Sequence, residues 1–217
     1  MKVGTDGVLL GAWTPVEDSN RILDVGTGTG LVALMLAQRS KALIDALEID
    51  QMAFNEAKSN FEQSAWFDRL HCIHGDFNIF AETSTIFYDL IVSNPPFFVN
   101  SLKTKDPLLS IARHADTLTF DQLISGAKYR LGPNGRLCVI IPSHSFTEFK
   151  ETARISGFYL WKQTTVVPKV GKTPKRVMLE FSLERSYPIV DELIILKSNG
   201  SYSKQFKLLT APFYPDF

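Results

Sequence analysis

The residues best suited to chemistry in this chain are Asn94, Pro95, Pro96 and Phe97, which directly follow an apolar, strand-like run. Each proline fixes its own φ, and the residue before a proline is kept out of the helical region, so the backbone of this turn is rigid. The amide oxygen of Asn94 and the carbonyl of Pro95 could accept both hydrogens of an exocyclic amine, while the ring of Phe97 offers its face to a planar base. Asn-Pro and Pro-Pro pairs are also common in ordinary loops that follow a strand. A functional interpretation of this turn therefore needs evidence from other motifs.

A glycine turn upstream supplies that support. The strand-like run Arg21–Val25 leads into Gly26-Thr27-Gly28-Thr29-Gly30 and then into a helical pattern. Glycines allow positive φ and a close ligand approach, and the first amides of the next helix lack partners. A dinucleotide fingerprint would need glycine where Leu31 stands. Asp24 would repel a pyrophosphate, but it could hold the cationic amine of S-adenosylmethionine.

Two further carboxylates follow at the ends of the next strands. Glu48 ends the predicted strand 43–48, where a carboxylate can accept both hydroxyls of a ribose. Asp50 is better interpreted as the N-cap of the following helix. The strand 70–74 ends in Gly75-Asp76-Phe77, which puts a carboxylate and an aromatic ring beside the expected position of an adenine. We therefore expect Glu48 to bind the sugar and Asp76 to accept from the adenine amino group.

In this order the motifs resemble those of class I S-adenosylmethionine-dependent methyltransferases that act on exocyclic amines. Other segments narrow the resemblance to the bacterial tRNA1(Val) (adenine-37-N6)-methyltransferase family, namely Lys2–Trp13, Pro95–Phe98, Ala112-Arg113-His114, Tyr202 and Phe213-Tyr214. It covers nearly the whole chain. The resemblance implies N6 methylation of adenine 37 in the anticodon loop of tRNA1(Val), with S-adenosylmethionine as cofactor. The predicted catalytic residues are Asn94, Pro95 and Phe97, and the predicted cofactor-binding residues are Thr5, Asp24, Gly26, Thr27, Gly28, Glu48, Asp76, Phe77 and Asn94.

The amino-terminal block departs from the family pattern. Members usually carry a short basic and aromatic segment before it, whereas this chain begins at Met1, so we expect such a segment to be missing here. By resemblance, Thr5 lies near the carboxylate end of the cofactor. A helix-capping threonine is the simpler explanation of the same residue.

Alternation of apolar strands with helical segments predicts an α/β fold with a doubly wound sheet. The resemblance implies that this sheet is of the Rossmann-like class I methyltransferase type. The strands are predicted at 21–25, 43–48, 70–74, 88–93 and 136–141, all parallel. Helices are predicted at Leu31–Arg39, Gln51–Asn60 and Phe120–Arg130, the last followed by a turn at Gly132–Gly135. The runs Phe158–Val167 and Arg176–Glu184 predict a C-terminal antiparallel hairpin.

Length and composition predict one domain over residues 1–217, because a chain of this length can bury a single sizeable core. The resemblance implies that it is a methyltransferase domain. The longest apolar runs are strand-length and the start lacks a signal-peptide pattern, so we expect a cytoplasmic enzyme without a membrane span. Cys72 and Cys138 fall in predicted strands, where inert packing is expected rather than a disulfide or a metal site.

Charge is distributed unevenly, although the formal net charge is +0. No acidic residue occurs between Thr152 and Leu179, so the hairpin loop could offer a basic patch to phosphates, and a solvated loop would explain the same run. A second basic segment follows the catalytic turn. The candidate RNA contacts are Lys103, Lys105, Arg113, Lys169, Lys172, Lys175 and Arg176.

Several functions stay open at this level. Asn-Pro-Pro-aromatic turns also serve methylation of rRNA guanine N2, DNA adenine and protein glutamine. A non-catalytic module that binds S-adenosylmethionine or RNA is a third interpretation, motivated by the neutral charge and the start at Met1. A nicotinamide dehydrogenase is disfavoured because Leu31 replaces the last fingerprint glycine.

Overall fold

Eight β-strands form one mixed sheet in the computed structural model, which describes residues 4–95 and 118–214. Their order across the sheet is β3-β2-β1-β4-β5-β7-β6-β8. The strands are β1 (Arg21–Val25), β2 (Leu43–Glu48), β3 (Leu70–His74), β4 (Tyr88–Ser93), β5 (Leu131–Pro142), β6 (Tyr159–Lys169), β7 (Arg176–Ser182) and β8 (Ile189–Leu196).

Helices cover both faces of this sheet. Those of the described chain are α1 (Thr5–Trp13), α2 (Leu31–Arg39), α3 (Gln51–Glu62), α4 (Phe77–Thr83), α5 (Phe120–Arg130), α6 (Phe146–Ile155) and α7 (Lys204–Thr210). Helices α1, α2, α3 and α7 bury their apolar side chains against one face, and α4, α5 and α6 against the other. The predicted doubly wound α/β fold is confirmed. None of the helices within residues 4–95 and 118–214 combines the length and hydropathy needed to cross a bilayer.

The strand order reverses beside β1, which pairs in parallel with both β2 and β4. In open α/β sheets a crevice forms at such a switch point, outside the carboxyl ends of the strands. Val25, the last residue of β1, is in register with Ser93, the last residue of β4. The glycine turn and Asn94 therefore leave the sheet side by side, at the carboxyl edge of its parallel strands.

The C-terminal part of the sheet contains both a confirmed and a missed element. Strand β7 pairs antiparallel with β5 and with β6, which confirms the predicted hairpin. Strand β8 pairs in parallel with β6 and was not predicted, because Asp191 and Glu192 interrupt its apolar pattern. Since β6 runs parallel to β5, the hairpin loop and the end of β8 lie at the same sheet edge as Asn94.

Strand β5 starts earlier than expected. The predicted turn at residues 132–135 lies inside β5, between Leu131, which pairs with Tyr88, and Arg136, which pairs with Leu90. Gly135 folds back over Leu131, and a Cβ there would lie 2.8 Å from the Leu131 Cδ2. The glycine thus permits a bulge where the sequence pattern indicated a loop.

Candidate functional site

The site is built where β1 and β4 end side by side. The buried hydroxyl of Ser93 donates to the carbonyl of Val25 at 2.8 Å, which ties the two strand ends together. Neighbouring strands lie about 4.8 Å apart, so the backbone at Asn94 begins within one strand spacing of the glycine turn. The two motifs singled out in the sequence thus meet at one point of the sheet.

The glycine turn is shaped for close approach. Gly26 and Gly28 have φ values of 71° and 58°, and a Cβ built on either would meet no atom within 4 Å. The amides of Gly26 and Thr27 both donate to the carbonyl of Leu47, at 2.9 and 3.0 Å. The backbone is therefore held from the β2 side and open on the other, as a ligand-binding turn requires.

Asp24 lies under this turn with 1% of its surface exposed. Burial raises the pKa of its carboxyl group to about 7, against hydrogen bonds from the Thr27 side chain and the Ala33 backbone that lower it; the charge of Glu48 also raises it. The Thr27 hydroxyl donates to Asp24 Oδ2 at 2.6 Å. Within the described residues no basic side chain pairs with Asp24. The carboxyl group is thus a buried acid that lacks a cation.

Glu48 closes the β2 side of the turn. Its Oε2 accepts from the Gly28 amide at 2.7 Å and its Oε1 from the Asp50 amide at 2.9 Å. Each carboxylate oxygen has a further lone pair, so these bonds leave acceptor capacity for hydroxyl groups. Asp50 caps α3 by accepting from the Ala53 amide at 2.8 Å, as predicted.

At the end of β3, Asp76 and Phe77 were predicted to bind adenine, and both also have structural roles. Asp76 is the N-cap of α4 and accepts from the amides of Asn78 and Ile79 through Oδ1, at 2.7 and 3.2 Å. The side chain of Phe77 is 5% exposed and packs where a Cβ on Gly126 would clash with its ring. Little of that ring can meet a ligand. Binding of adenine by these two residues stays a prediction.

Helix α1 begins beside the start of α2, close to the glycine turn. Gly7 packs against Leu31 at the start of α2, and Gly11 against Met35 one turn later, so the helices run in the same direction. Thr5 is the first residue of α1 and does not cap it, because the N-cap is Gly4. The capping interpretation is wrong, and the exposed Thr5 starts the helix beside the turn.

Arg176, a predicted RNA contact, has a structural partner instead. Its Nε donates to Asp6 Oδ2 at 2.7 Å, in a half-buried ion pair between α1 and the start of β7. The two residues are 170 positions apart, so no local pattern could indicate the pair. Ser93 is the other contributor that sequence analysis missed, and a polar residue closing an apolar strand was its only signal.

The catalytic turn is described only in part. Asn94 is half-buried and Pro95 is buried. The side-chain amide of Asn94 forms no hydrogen bond with residues 4–95 or 118–214. Its Oδ1 can therefore accept from a substrate. Phe97 lies outside the described residues, and so do Lys103, Lys105 and Arg113.

Three of the predicted RNA contacts lie in or next to the hairpin loop. Lys172 and Lys175 are exposed in the hairpin loop and Lys169 is half-buried at its start. Burial raises the pKa of the Cys72 thiol to about 11 and that of Cys138 well above its usual range, as expected for unreactive thiols. No group of three or more His, Cys, Asp or Glu residues in the described parts of the chain could hold a metal ion.

Comparison with known proteins agrees with this arrangement. The methyltransferase small domain family matches residues 4–155. A tRNA1(Val) (adenine(37)-N6)-methyltransferase from Bacteroides fragilis is 46% identical over 215 residues, 99% of this chain and 91% of the relative. A relative of that name from Yersinia pestis is 39% identical, over 100% and 88% of the two chains. A solved Agrobacterium tumefaciens structure, described as a predicted O-methyltransferase, has a TM-score of 0.73 at 18% identity, over 95% and 96% of the two chains.

Proposed function

Since this chain belongs to the methyltransferase small domain family, alongside the tRNA1(Val) (adenine(37)-N6)-methyltransferases, we propose that it methylates N6 of adenine 37 in the anticodon loop of tRNA1(Val). The observation that carries this is the meeting of Asn94 with the glycine turn at the switch point of the sheet. The reaction takes place in the cytoplasm, within the single domain formed by residues 1–217.

Bound S-adenosylmethionine supplies the methyl group as an electrophilic carbon on sulfur. Two features of the described chain fit this cofactor. Space is open over Gly26 and Gly28, and the buried Asp24 lacks the cation that the cofactor's amine would provide. Glu48 would hold the ribose, Asp76 the adenine amino group, and Thr5 and Thr27 would lie toward the amino-acid end. In these assignments the amino-acid end lies at β1 and α1, the ribose at the end of β2 and the adenine at the end of β3.

The acceptor end of the site works by orientation. Asn94 Oδ1 and the Pro95 carbonyl accept the two N6 hydrogens of adenine, which favours a pyramidal nitrogen whose lone pair is exposed. With its lone pair exposed by Asn94 and Pro95, the nitrogen would take the methyl group, the electrons of the carbon–sulfur bond would stay on the leaving thioether, and the product cation would release its proton to water. No base is needed before attack, so the residues contribute mainly positioning and electrostatic complementarity. Phe97 would stack on the base, contributing about 1–3 kcal/mol.

RNA is the favoured acceptor, because an anticodon loop already presents unpaired, splayed bases that can enter such a pocket at little cost. Lys103, Lys105, Arg113, Lys169, Lys172 and Lys175 are the proposed phosphate contacts. We withdraw Arg176 from this set because Asp6 holds its guanidinium group. Methylation of guanine N2, DNA adenine or protein glutamine is the alternative for the same catalytic turn.

Substitution of Asn94 tests the mechanism. Asn94→Ala removes one of the two acceptors and should lower kcat by about 100-fold or more, as loss of one oriented hydrogen bond does in other active sites. The Kd for S-adenosylmethionine, measured by calorimetry, should change little. Asn94→Asp keeps an acceptor oxygen and is the matched control, expected to retain more turnover than Asn94→Ala. Full turnover in Asn94→Ala would refute the mechanism.

The acceptor is identified separately. Purified tRNA, rRNA, DNA and protein are incubated with the chain and isotopically labelled cofactor, and the products are digested and analysed by mass spectrometry. We expect label in N6-methyladenosine from tRNA. Label in N2-methylguanosine, in DNA or in N-methylglutamine would assign the alternative, and cofactor binding without label in any sample would favour a non-catalytic module.

A further inference from the structure

We propose that a groove beside the last helix binds the phosphate backbone of the tRNA substrate, an inference that rests on the proposed function. This terminal groove has a volume of about 560 Å³ and lies where β8 turns into α7. Its lining includes Lys197, Ser201, Tyr202, Lys204 and Lys207. The ammonium groups of Lys197 and Lys204 beside this concave surface are donors suited to phosphate oxygens.

The turn that forms the groove is held by its own backbone. The amide of Lys197 donates to the Ser201 carbonyl at 2.8 Å, and that of Gly200 donates back to the Lys197 carbonyl at 3.0 Å. Tyr202 stacks on the buried Phe206, with ring centroids 4.8 Å apart and 20° between the planes. The backbone that carries the lysines is therefore held by hydrogen bonds and ring packing, which lowers the conformational entropy lost on binding.

The position of the groove connects it to the active site. Strand β8 ends at the same sheet edge as Asn94, and the Val170 amide donates to the Leu196 carbonyl at 3.0 Å. The start of the hairpin loop is therefore bonded to the end of β8, next to Lys197 of the groove. Four strand intervals separate β4 from β8, about 19 Å at the usual spacing. A nucleic acid that places a base at Asn94 carries many phosphates within that distance.

Five lysines along this surface lack an ion-pair partner in the part of the chain that the structure describes. Lys169, Lys172, Lys175, Lys197 and Lys204 form no ion pair with any carboxylate within residues 4–95 and 118–214. Lys197 and Lys204 are exposed. A row of unpaired cations along one edge releases counterions when it meets phosphates, which makes binding strong and salt-dependent. We define these five residues as the lysine edge, which a neutral protein can use to bind RNA.

The test is the double charge reversal Lys197→Glu/Lys204→Glu. We expect the KM for tRNA to rise at least about tenfold with kcat within about twofold, and the salt slope of log Kd to fall by about 1 to 2. Lys197→Arg/Lys204→Arg keeps both charges and should behave as the native chain. The matched control is Lys41→Glu/Lys128→Glu, two exposed lysines next to the starts of β2 and β5, at the opposite sheet edge.

Binding is measured without turnover, so the inference can fail independently of the proposed function. A weakened Kd for tRNA in the charge reversal, with unchanged thermal stability and cofactor affinity, supports the groove whether or not methyl transfer occurs. Equal tRNA affinity in the charge reversal and the matched control overturns it. Preference of the native chain for polyglutamate over tRNA, lost in the same variant, also overturns it and points to an acidic protein partner.

Discussion

Two buried aspartates on neighbouring strands have opposite surroundings. Asp45 on β2 is 3% exposed and Asp24 on β1 is 1% exposed. Asp45 accepts from the Arg21 guanidinium at 3.1 Å and from the Tyr88 hydroxyl at 2.8 Å, and His71 lies 3.3 Å away. Asp24 accepts from a threonine hydroxyl and faces Glu48 rather than a cation. Burial alone therefore does not distinguish the two carboxylates, whereas a cationic partner within the described residues does.

The difference also separates the two edges of the sheet. Arg21 and Tyr88 begin β1 and β4 and His71 lies on β3, so the Asp45 network closes the amino edge and joins four strands. Asp24 stands near the carboxyl edge, under a turn whose glycines leave open space. We infer that one carboxylate contributes stability and the other keeps binding capacity, and the two predictions that follow test this division.

The largest effect is expected at Asp45. Asp45→Asn removes the charge that holds Arg21 and leaves amide hydrogens facing the donors of Arg21 and Tyr88, so the free energy of unfolding should fall by about 3–5 kcal/mol. Urea denaturation measures this loss. The Kd for S-adenosylmethionine of the folded variant should stay within about threefold of the native value. A comparable loss of cofactor affinity would show that the two carboxylates are not functionally distinct.

The opposite outcome is expected at Asp24. Asp24→Asn keeps an acceptor for the Thr27 hydroxyl but cannot neutralise the cofactor's amine, so the Kd should rise about 30- to 1,000-fold, equivalent to about 2–4 kcal/mol. Without cofactor, the variant should be more stable than the native chain above pH 7 by about 1–2 kcal/mol, because no buried charge remains. Calorimetric titration and thermal unfolding at pH 8 measure the two effects. An Asp24→Asn variant that binds normally would contradict the assignment.

Sequence patterns were sufficient for Asp24 but not for everything around it. Asp24 ends an apolar run and stands two residues before the first glycine. Because parallel strands of one sheet end at a common edge, this predicts that Asp24 lies at the carboxyl edge beside the glycine turn. The Asp6 to Arg176 pair depends on the packing of α1 against the start of β7, which no local pattern encodes. The burial of Phe77 similarly depends on Gly126 of α5, 49 residues later in the chain.

The same limit applies to the C-terminal strands. The hairpin was predictable from two long apolar runs, whereas β8 has exposed residues from Ile189 to Glu192 and resembles a loop in sequence. An edge strand is half solvated, so its pattern is weaker than that of β1 or β4, whose residues are almost all buried. The terminal groove depends on β8, so it became visible only in the structure.

The smallest effect, and the sharpest test of the comparison, is the pH dependence of cofactor binding. Because burial raises the pKa of Asp24 to about 7, the carboxyl group is protonated below that pH and must ionise to hold a cationic amine. Affinity for S-adenosylmethionine should therefore rise about tenfold per pH unit between pH 5.5 and 7 and level off above pH 7. Above about pH 8 it should decline again as the amine loses its own proton.

The stability of the cofactor-free chain should change in the opposite direction over part of this range. The pKa of Asp24 is raised in the folded state from 3.8, so its contribution is fully present below that value and is lost as the pH rises to about 7. Comparison with Asp24→Asn isolates this contribution, because other groups titrate in both chains. In Asp24→Asn, both the pH dependence of the affinity for S-adenosylmethionine and the matching pH dependence of the free energy of unfolding should disappear. Persistence of either slope would assign it to another group and would remove the reason for treating Asp24 differently from Asp45.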